Sequence, residues 1–206
     1  MQGRLTENAI VLLGPTGAGK TPLGDWLQAR GLKGRQVHHF DFGVWLRAAA
    51  ADEPDWLSAA QVAVIRRCLD EGALLEEQDF GIAHEIIHQF MLLRRIAPGD
   101  HLIFNGWPRD CRQAAALAPL VRVALVVHLL CHAEAVRVRL LLNSGGDRAG
   151  RADDTPAQVE RRLVVYRERT RPLLDYYREQ GIVICDIESN AATTARDMAE
   201  RVAQQV

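Results

Sequence analysis

Between a short run of branched and leucine residues, AIVLL (Ala9–Leu13), and a helix-compatible stretch, PLGDWLQAR, lie the eight residues GPTGAGKT, Gly14 to Thr21. They fit the pattern GxxxxGK[ST], in which glycines let consecutive backbone N–H groups converge on an anion and the following helix adds the positive end of its dipole. A strand before and a helix after are the context that gives the pattern meaning, and both are present. Gly14, Pro15, Thr16, Gly17, Ala18, Gly19, Lys20 and Thr21 are therefore expected to cradle the phosphates of a nucleoside triphosphate. Lys20 is expected to reach the β- and γ-phosphates, and Thr21 to place its hydroxyl on Mg²⁺.

The rest of the chain alternates in the same manner. Strand-like runs at 36–40 (QVHHF), 101–105 (HLIFN), 122–130 (RVALVVHLL) and 181–187 (GIVICDI) are separated by helical stretches. Ser58 with Gln61, and Thr155 with Gln158, have the spacing of capping boxes. This predicts helices from there to Glu71-Gly72 and to Glu179, the second kinked at Pro172. Further helices are expected over Asp79 to Ile96, 133–142 and 191–205. Alternating strands and helices favour an α/β fold with a five-stranded parallel sheet between helical layers. The length of 206 residues suits one domain.

No apolar run approaches the length of a bilayer span, and MQGRLTEN lacks an export pattern, so a cytoplasmic location without membrane attachment is expected. A net charge of −1 with no basic tail argues against nucleic acid as a partner. The four scattered cysteines read as reduced thiols.

Four further segments carry a resemblance. FDFGVWLR (40–47), EGALL (71–75), NGWPRDCRQ (105–113) and GRADDTPAQVERRLVVYRERTRPLLDYY (150–177), together with the phosphate loop, are similar to short-lid members of the adenylate kinase family. NGWPR resembles that family's DG[FY]PR, and GRxDD is followed 11 residues later by an arginine. The resemblance implies a phosphate-loop kinase domain over 1–206, with a helical monophosphate-binding insertion at 41–75 and a short lid at 143–154. It implies transfer of the γ-phosphoryl of Mg·ATP to AMP, giving two ADP, by a monomer. Arg47 and Arg109 would hold the acceptor phosphate, with Gly43 and Gly106 beside them. Gln113 and the backbone of Ala73, Leu74 and Leu75 would meet the acceptor base, and Arg139 would lie near the ATP base. Lys20, Arg109, Arg151 and Arg162 would carry catalysis, because phosphoryl transfer needs positioning and charge neutralisation rather than a covalent nucleophile.

The pattern also breaks. Asn105 stands where the family has a magnesium-orienting aspartate, Asn143 falls near an expected lid arginine, and Phe42 and Val44 replace polar residues. Asp41 is expected either to supply the missing carboxylate or to cap the next helix, and Arg148 to stand in for the arginine absent at 143. Two rival readings follow: another nucleotide or a small hydroxy acid as acceptor, or a nucleotide-binding regulator without turnover. HEIIH (84–88) has zinc-compatible spacing, but Ile82, Ile86, Phe90 and Leu93 form an apolar stripe and no third ligand is in sight, so no zinc is expected there. His128, Cys131 and His132 are expected to be structural, and with no cysteine in the lid no zinc is expected in it.

Overall fold

The computed structural model describes residues 6–132, 135–136, 138–139, 146 and 155–206. Five strands form one parallel sheet: β1 (Thr6–Leu13), β2 (Val37–Asp41), β3 (His101–Asn105), β4 (Val121–Leu130) and β5 (Val183–Glu188), in the order β2-β3-β1-β4-β5. β1 sits at the centre because its residues are apolar on both faces, as a strand covered on both sides requires. Alternation then sorts its side chains into two cores. Ala9, Val11 and Leu13 enter one, with Phe40, Phe90 and Phe104, and Ile10 and Leu12 enter the other, with Leu23, Leu27 and Met198.

Helices close both faces. α1 (Lys20–Arg30) and the last helix, α8 (Ala195–Ala203), cover the second core. α2 (Phe42–Asp52), α3 (Ala59–Glu71), α4 (Phe80–Arg94), α5 (Cys111–Leu117) and α7 (Leu173–Glu179) contribute to the first. α6 (Pro156–Val165) precedes α7. The four described residues between 135 and 139 are helical.

Local chemistry explains the boundaries. Ser58–Gln61 and Thr155–Gln158 form the expected capping boxes, and Thr194–Asp197 forms a third. The last helix starts at Ala195, not at 191. Asn190 Oδ1 accepts from the N–H groups of Ala192 and Thr193 at 2.9 and 3.1 Å, a side-chain turn that competes with the helix.

The expected kinked helix after Thr155 is instead interrupted. α6 ends at Val165, and a π-helical turn follows over Tyr166–Thr170. Pro172 cannot donate to the preceding turn and crowds it. The ladder widens upstream, with Arg171 N–H bonded to Tyr166 O at 2.8 Å.

α4 buries Ile82, Ile86 and Phe90 as expected, but Leu93 is 71% exposed, so the helix outlasts the core at its last turn. The HEIIH imidazoles differ in setting. His84 stands edge-on to Trp107 with ring centroids 6.2 Å apart, whereas His88 is largely exposed and 3.8 Å from Glu85.

Gly24 on α1 tests how tightly that helix packs. A Cβ there would lie 2.4 Å from His39 Cδ2 and Nε2, and His39 is buried and held by Asp25 at 2.8 Å. Helix propensity alone would reward Gly24→Ala by about 1 kcal/mol, but overpacking of this kind costs about 1–3 kcal/mol. The variant is expected to unfold at lower temperature than the parent, as followed by circular dichroism, and a higher melting temperature would contradict this packing.

Candidate active site

The phosphate loop takes its shape from two close approaches. Gly14 has φ +149°, and a Cβ there would sit 2.8 Å from the Leu129 carbonyl; Gly19 has φ +101° and opens α1. α1 carries no side-chain cap, so its amino-terminal N–H groups and dipole remain for an anion. Lys20 Nζ donates to the carbonyls of Gly14 and Pro15 at 2.7 and 2.8 Å, which folds the ammonium over the loop. Ala18 is wholly buried beneath it, with its carbonyl accepting from Ser189 Oγ at 2.9 Å. Arg139, also buried, donates from Nε to Gly17 O at 3.0 Å and from Nη1 to the carbonyls of Asn190 and Thr193 at 2.6 and 3.2 Å. It ties the loop to the turn before α8.

At the ends of β2 and β3, Asp41 and Asn105 are register partners. Asp41 Oδ2 accepts from Thr21 Oγ1 at 2.7 Å and from Asn105 Nδ2 at 2.8 Å, while its Oδ1 accepts from Val44 N–H at 3.1 Å and caps α2. Cap and cation ligand are therefore compatible roles, because each has its own oxygen. Asn105 Nδ2 also donates to Thr21 Oγ1 at 3.0 Å and lies 3.4 Å from His39 Nε2. The Thr21 hydroxyl and the Asp41 carboxylate are hard oxygen donors of the kind Mg²⁺ accepts, beside the place where a phosphate-loop enzyme carries it, and Asn105 turns its amide N–H groups toward both. Among the described residues, no group of three or more His, Cys, Asp or Glu side chains gathers as a metal cage.

The opposite wall is cationic. Arg47 from α2, Arg109 from the NGWPR turn and Arg162 from α6 line one cleft with Lys20, Thr21, Gly14, Thr16, Gly17, Gly19 and Arg139. Arg109 donates from Nε to Gly106 O at 2.8 Å. Burial first, then the neighbouring Arg162 and Arg47, bring its guanidinium down to about 10, with Asp41 opposing. It remains a cation at neutral pH.

Gly43, Ala73, Leu74, Leu75, Gly106 and Gln113 line the same cleft, as does Asp41; Pro15 and Ala18 lie behind the loop and do not. Gln113 is 1% exposed and spans this end. Its Oε1 accepts from Arg109 N–H at 2.8 Å and its Nε2 donates to Leu75 O at 2.9 Å. Each amide atom keeps capacity for one further bond. Phe42 and Trp107 form an aromatic wall with centroids 6.1 Å apart. Arg151, Asn143 and Arg148 lie outside the described residues, as does the segment expected to form a lid, 143–154, apart from residue 146.

Sequence reasoning missed one group. Tyr166 lines the cleft one turn after Arg162. His128 Nε2 lies 2.8 Å from its hydroxyl, and His128 Nδ1 lies 2.7 Å from Asp186 Oδ1. Burial raises the Tyr166 phenol above its ordinary range. The i, i+4 spacing from Arg162 was the available signal; the link to β4 and β5 had none. His128 thus links the end of β4 to β5 and to the cleft wall.

Comparison with known proteins adds a second line of support. The family model described as adenylate kinase matches residues 12–182. An adenylate kinase of Hyphomonas neptunium is 33% identical over 181 residues, covering 85% of this chain and 87% of the relative. One of Synechococcus sp. (strain CC9902) is 32% identical over 184 residues, covering 86% and 88%. Among solved structures, an unliganded sugar kinase of Janibacter sp. HTCC2649 shares the fold, with a TM-score of 0.55 and 14% identity over 96% of this chain and 93% of that one.

Proposed function

Because this chain belongs to the adenylate kinase family, we propose that it transfers the γ-phosphoryl group of Mg·ATP to AMP, giving two ADP. The observation that carries the reading is the convergence of Lys20, Arg47, Arg109 and Arg162 on one cleft, with the Arg109 cation held under strain by burial and by like charges. A pocket so rich in cations is complementary to a chain of phosphates.

ATP seats its β- and γ-phosphates on the loop N–H groups and the amino end of α1. Lys20 leaves the Gly14 and Pro15 carbonyls and follows the transferred group. Arg47 and Arg109 grip the acceptor phosphate, and Arg162, with Arg151 from the lid, neutralises charge that grows on the transferring oxygens. Bound Mg²⁺, held near Thr21 and Asp41, would supply further neutralisation of the β- and γ-oxygens. The attacking group is already an anion, so no general base is required.

A second reading of the acceptor has its own support. Gln113 spends one bond of each amide atom on backbone, and Phe42 presents no hydroxyl, so base selection in this pocket rests on shape and backbone more than on a free amide. Another nucleoside monophosphate, or a small phosphate-bearing or hydroxy-acid acceptor, would suit such a site. Rates of ADP formation over AMP, GMP, CMP, UMP and a hydroxy acid, with Lys20→Ala as control, test both. AMP is expected to give the highest kcat/KM. A different preferred acceptor would move the assignment to that compound, and tight ATP binding with no turnover on any would replace it with a regulatory role.

A further inference from the structure

Asn105 looks like the loss of an acid from the phosphate site, but its neighbours explain why an amide stands there. Its Nδ2 faces three acceptors: Asp41 Oδ2 at 2.8 Å, Thr21 Oγ1 at 3.0 Å and His39 Nε2 at 3.4 Å. Asp25 Oδ1, 2.8 Å from His39 Nδ1, favours the tautomer with the proton on Nδ1 and leaves Nε2 as an acceptor. The amide nitrogen therefore points toward Asp41 and Thr21. A carboxylate at 105 would oppose the Asp41 carboxylate instead.

Thr21 is the hydroxyl residue of the phosphate loop. In such enzymes the cation is held between that hydroxyl and a carboxylate at a strand end. Among the described residues, Asp41 is the carboxylate hydrogen-bonded to Thr21. Asp41 and Asn105 end adjacent parallel strands as register partners, and both reach the same hydroxyl.

We propose that Asp41 and Asn105 act as one divalent-cation clamp, in which the β2 carboxylate orients the cation carried by ATP and the β3 amide fixes that carboxylate in place. Because the two positions are opposite one another and converge on Thr21, their residues are interchangeable. A carboxylate on either strand serves, provided that the other carries an amide. The inference rests on the reading that ATP occupies the loop.

The test uses Mn²⁺ as probe, with free ion read by electron paramagnetic resonance, and the full chain loaded with a non-hydrolysable ATP analogue. Asp41→Asn keeps the helix cap, since asparagine caps as well as aspartate, and is expected to weaken Mn²⁺ binding by about tenfold or more, the loss expected when a ligand or its support is removed. The reciprocal variant, Asp41→Asn with Asn105→Asp, is expected to restore affinity to within about threefold of the parent. Mn²⁺ affinity unchanged in Asp41→Asn, or equally weak in the reciprocal variant, would overturn the clamp. The analogue is titrated first without metal. If the parent chain fails to bind it, the ATP reading falls and the clamp with it; if it binds but Mn²⁺ ignores both substitutions, the clamp alone falls.

Discussion

Lys20→Met is expected to slow ADP formation by about 10³-fold or more, the scale of losing a charge stabiliser that acts on the transferring group. The fold should survive. Lys20 lies in the first turn of α1, and its ammonium bonds to carbonyls of its own loop at 2.7 and 2.8 Å. Removing the ammonium takes a donor from two carbonyls of its own loop but also ends the cost of a half-buried cation, so the melting temperature should stay within about 3 °C of the parent, as for a change of about 1 kcal/mol or less. Methionine keeps most of the stem and removes the charge together with its N–H donors. Single-turnover rates with pre-bound ATP and AMP isolate the chemical step. A variant that transfers phosphoryl within about tenfold of the parent would mean that the loop lysine does not reach the reacting phosphates.

Arg109→Ala should separate the two substrates. In the proposed complex its guanidinium holds the acceptor phosphate, so kcat/KM for the monophosphate should fall by about 10³-fold, whereas ATP affinity measured by calorimetry should change by less than about threefold. The stability consequence has a sign that follows from the chemistry. The guanidinium is lowered from its ordinary range to about 10, chiefly by burial and then by Arg162 and Arg47. Below pH 10 the folded state therefore carries the full cost of an enclosed cation, and that cost is relieved only as pH rises through about 10. Between about pH 6 and 9 the cost is constant, so the parent's stability should show no titration from this group. A bound phosphate relieves the same cost at neutral pH. AMP should thus raise the melting temperature of the parent and leave that of Arg109→Ala nearly unmoved. Equal AMP-dependent shifts in both proteins would place the acceptor phosphate elsewhere.

Much of this architecture was legible in the residues alone, and for identifiable reasons. The five strands are read from apolar runs between turn residues, and the capping boxes at Ser58 and Thr155 are local patterns with local physics. The phosphate loop is likewise a local object. The misses share a different cause. Pro172 acts several residues upstream of itself, so the π turn over Tyr166–Thr170 is not visible where it forms. Asn190 diverts the chain before Thr194 by a side-chain turn, which apolar periodicity does not report. Leu93 matches the stripe of α4 but lies where the core has ended.

Within the site, positions were easier to read than partnerships. Arg47, Arg109, Gln113, Arg139 and Arg162 all line the cleft, but nothing local tells that Gln113 would bridge Arg109 and Leu75. Nor does it tell that Arg139 would bond the carbonyls of Gly17, Asn190 and Thr193. The contact of His128 with Asp186 and Tyr166 joins residues far apart in the chain and is a product of sheet order. Asp41 shows the limit of choosing between roles: a carboxylate has two oxygens, and the fold uses them for different neighbours.

In the proposed complex one continuous cleft holds the phosphates of donor and acceptor end to end between the loop of Lys20 and the arginines at 47, 109 and 162. Calorimetric titration with diadenosine pentaphosphate, which joins the two nucleotides through a single string of phosphates, tests it most directly. The prediction is one molecule bound per chain, at least about 100-fold tighter than ATP or AMP alone, with Lys20→Met and Arg109→Ala each weakening it. Binding no tighter than ATP, and indifferent to Arg109→Ala, would mean that the two phosphate sites do not share one cleft.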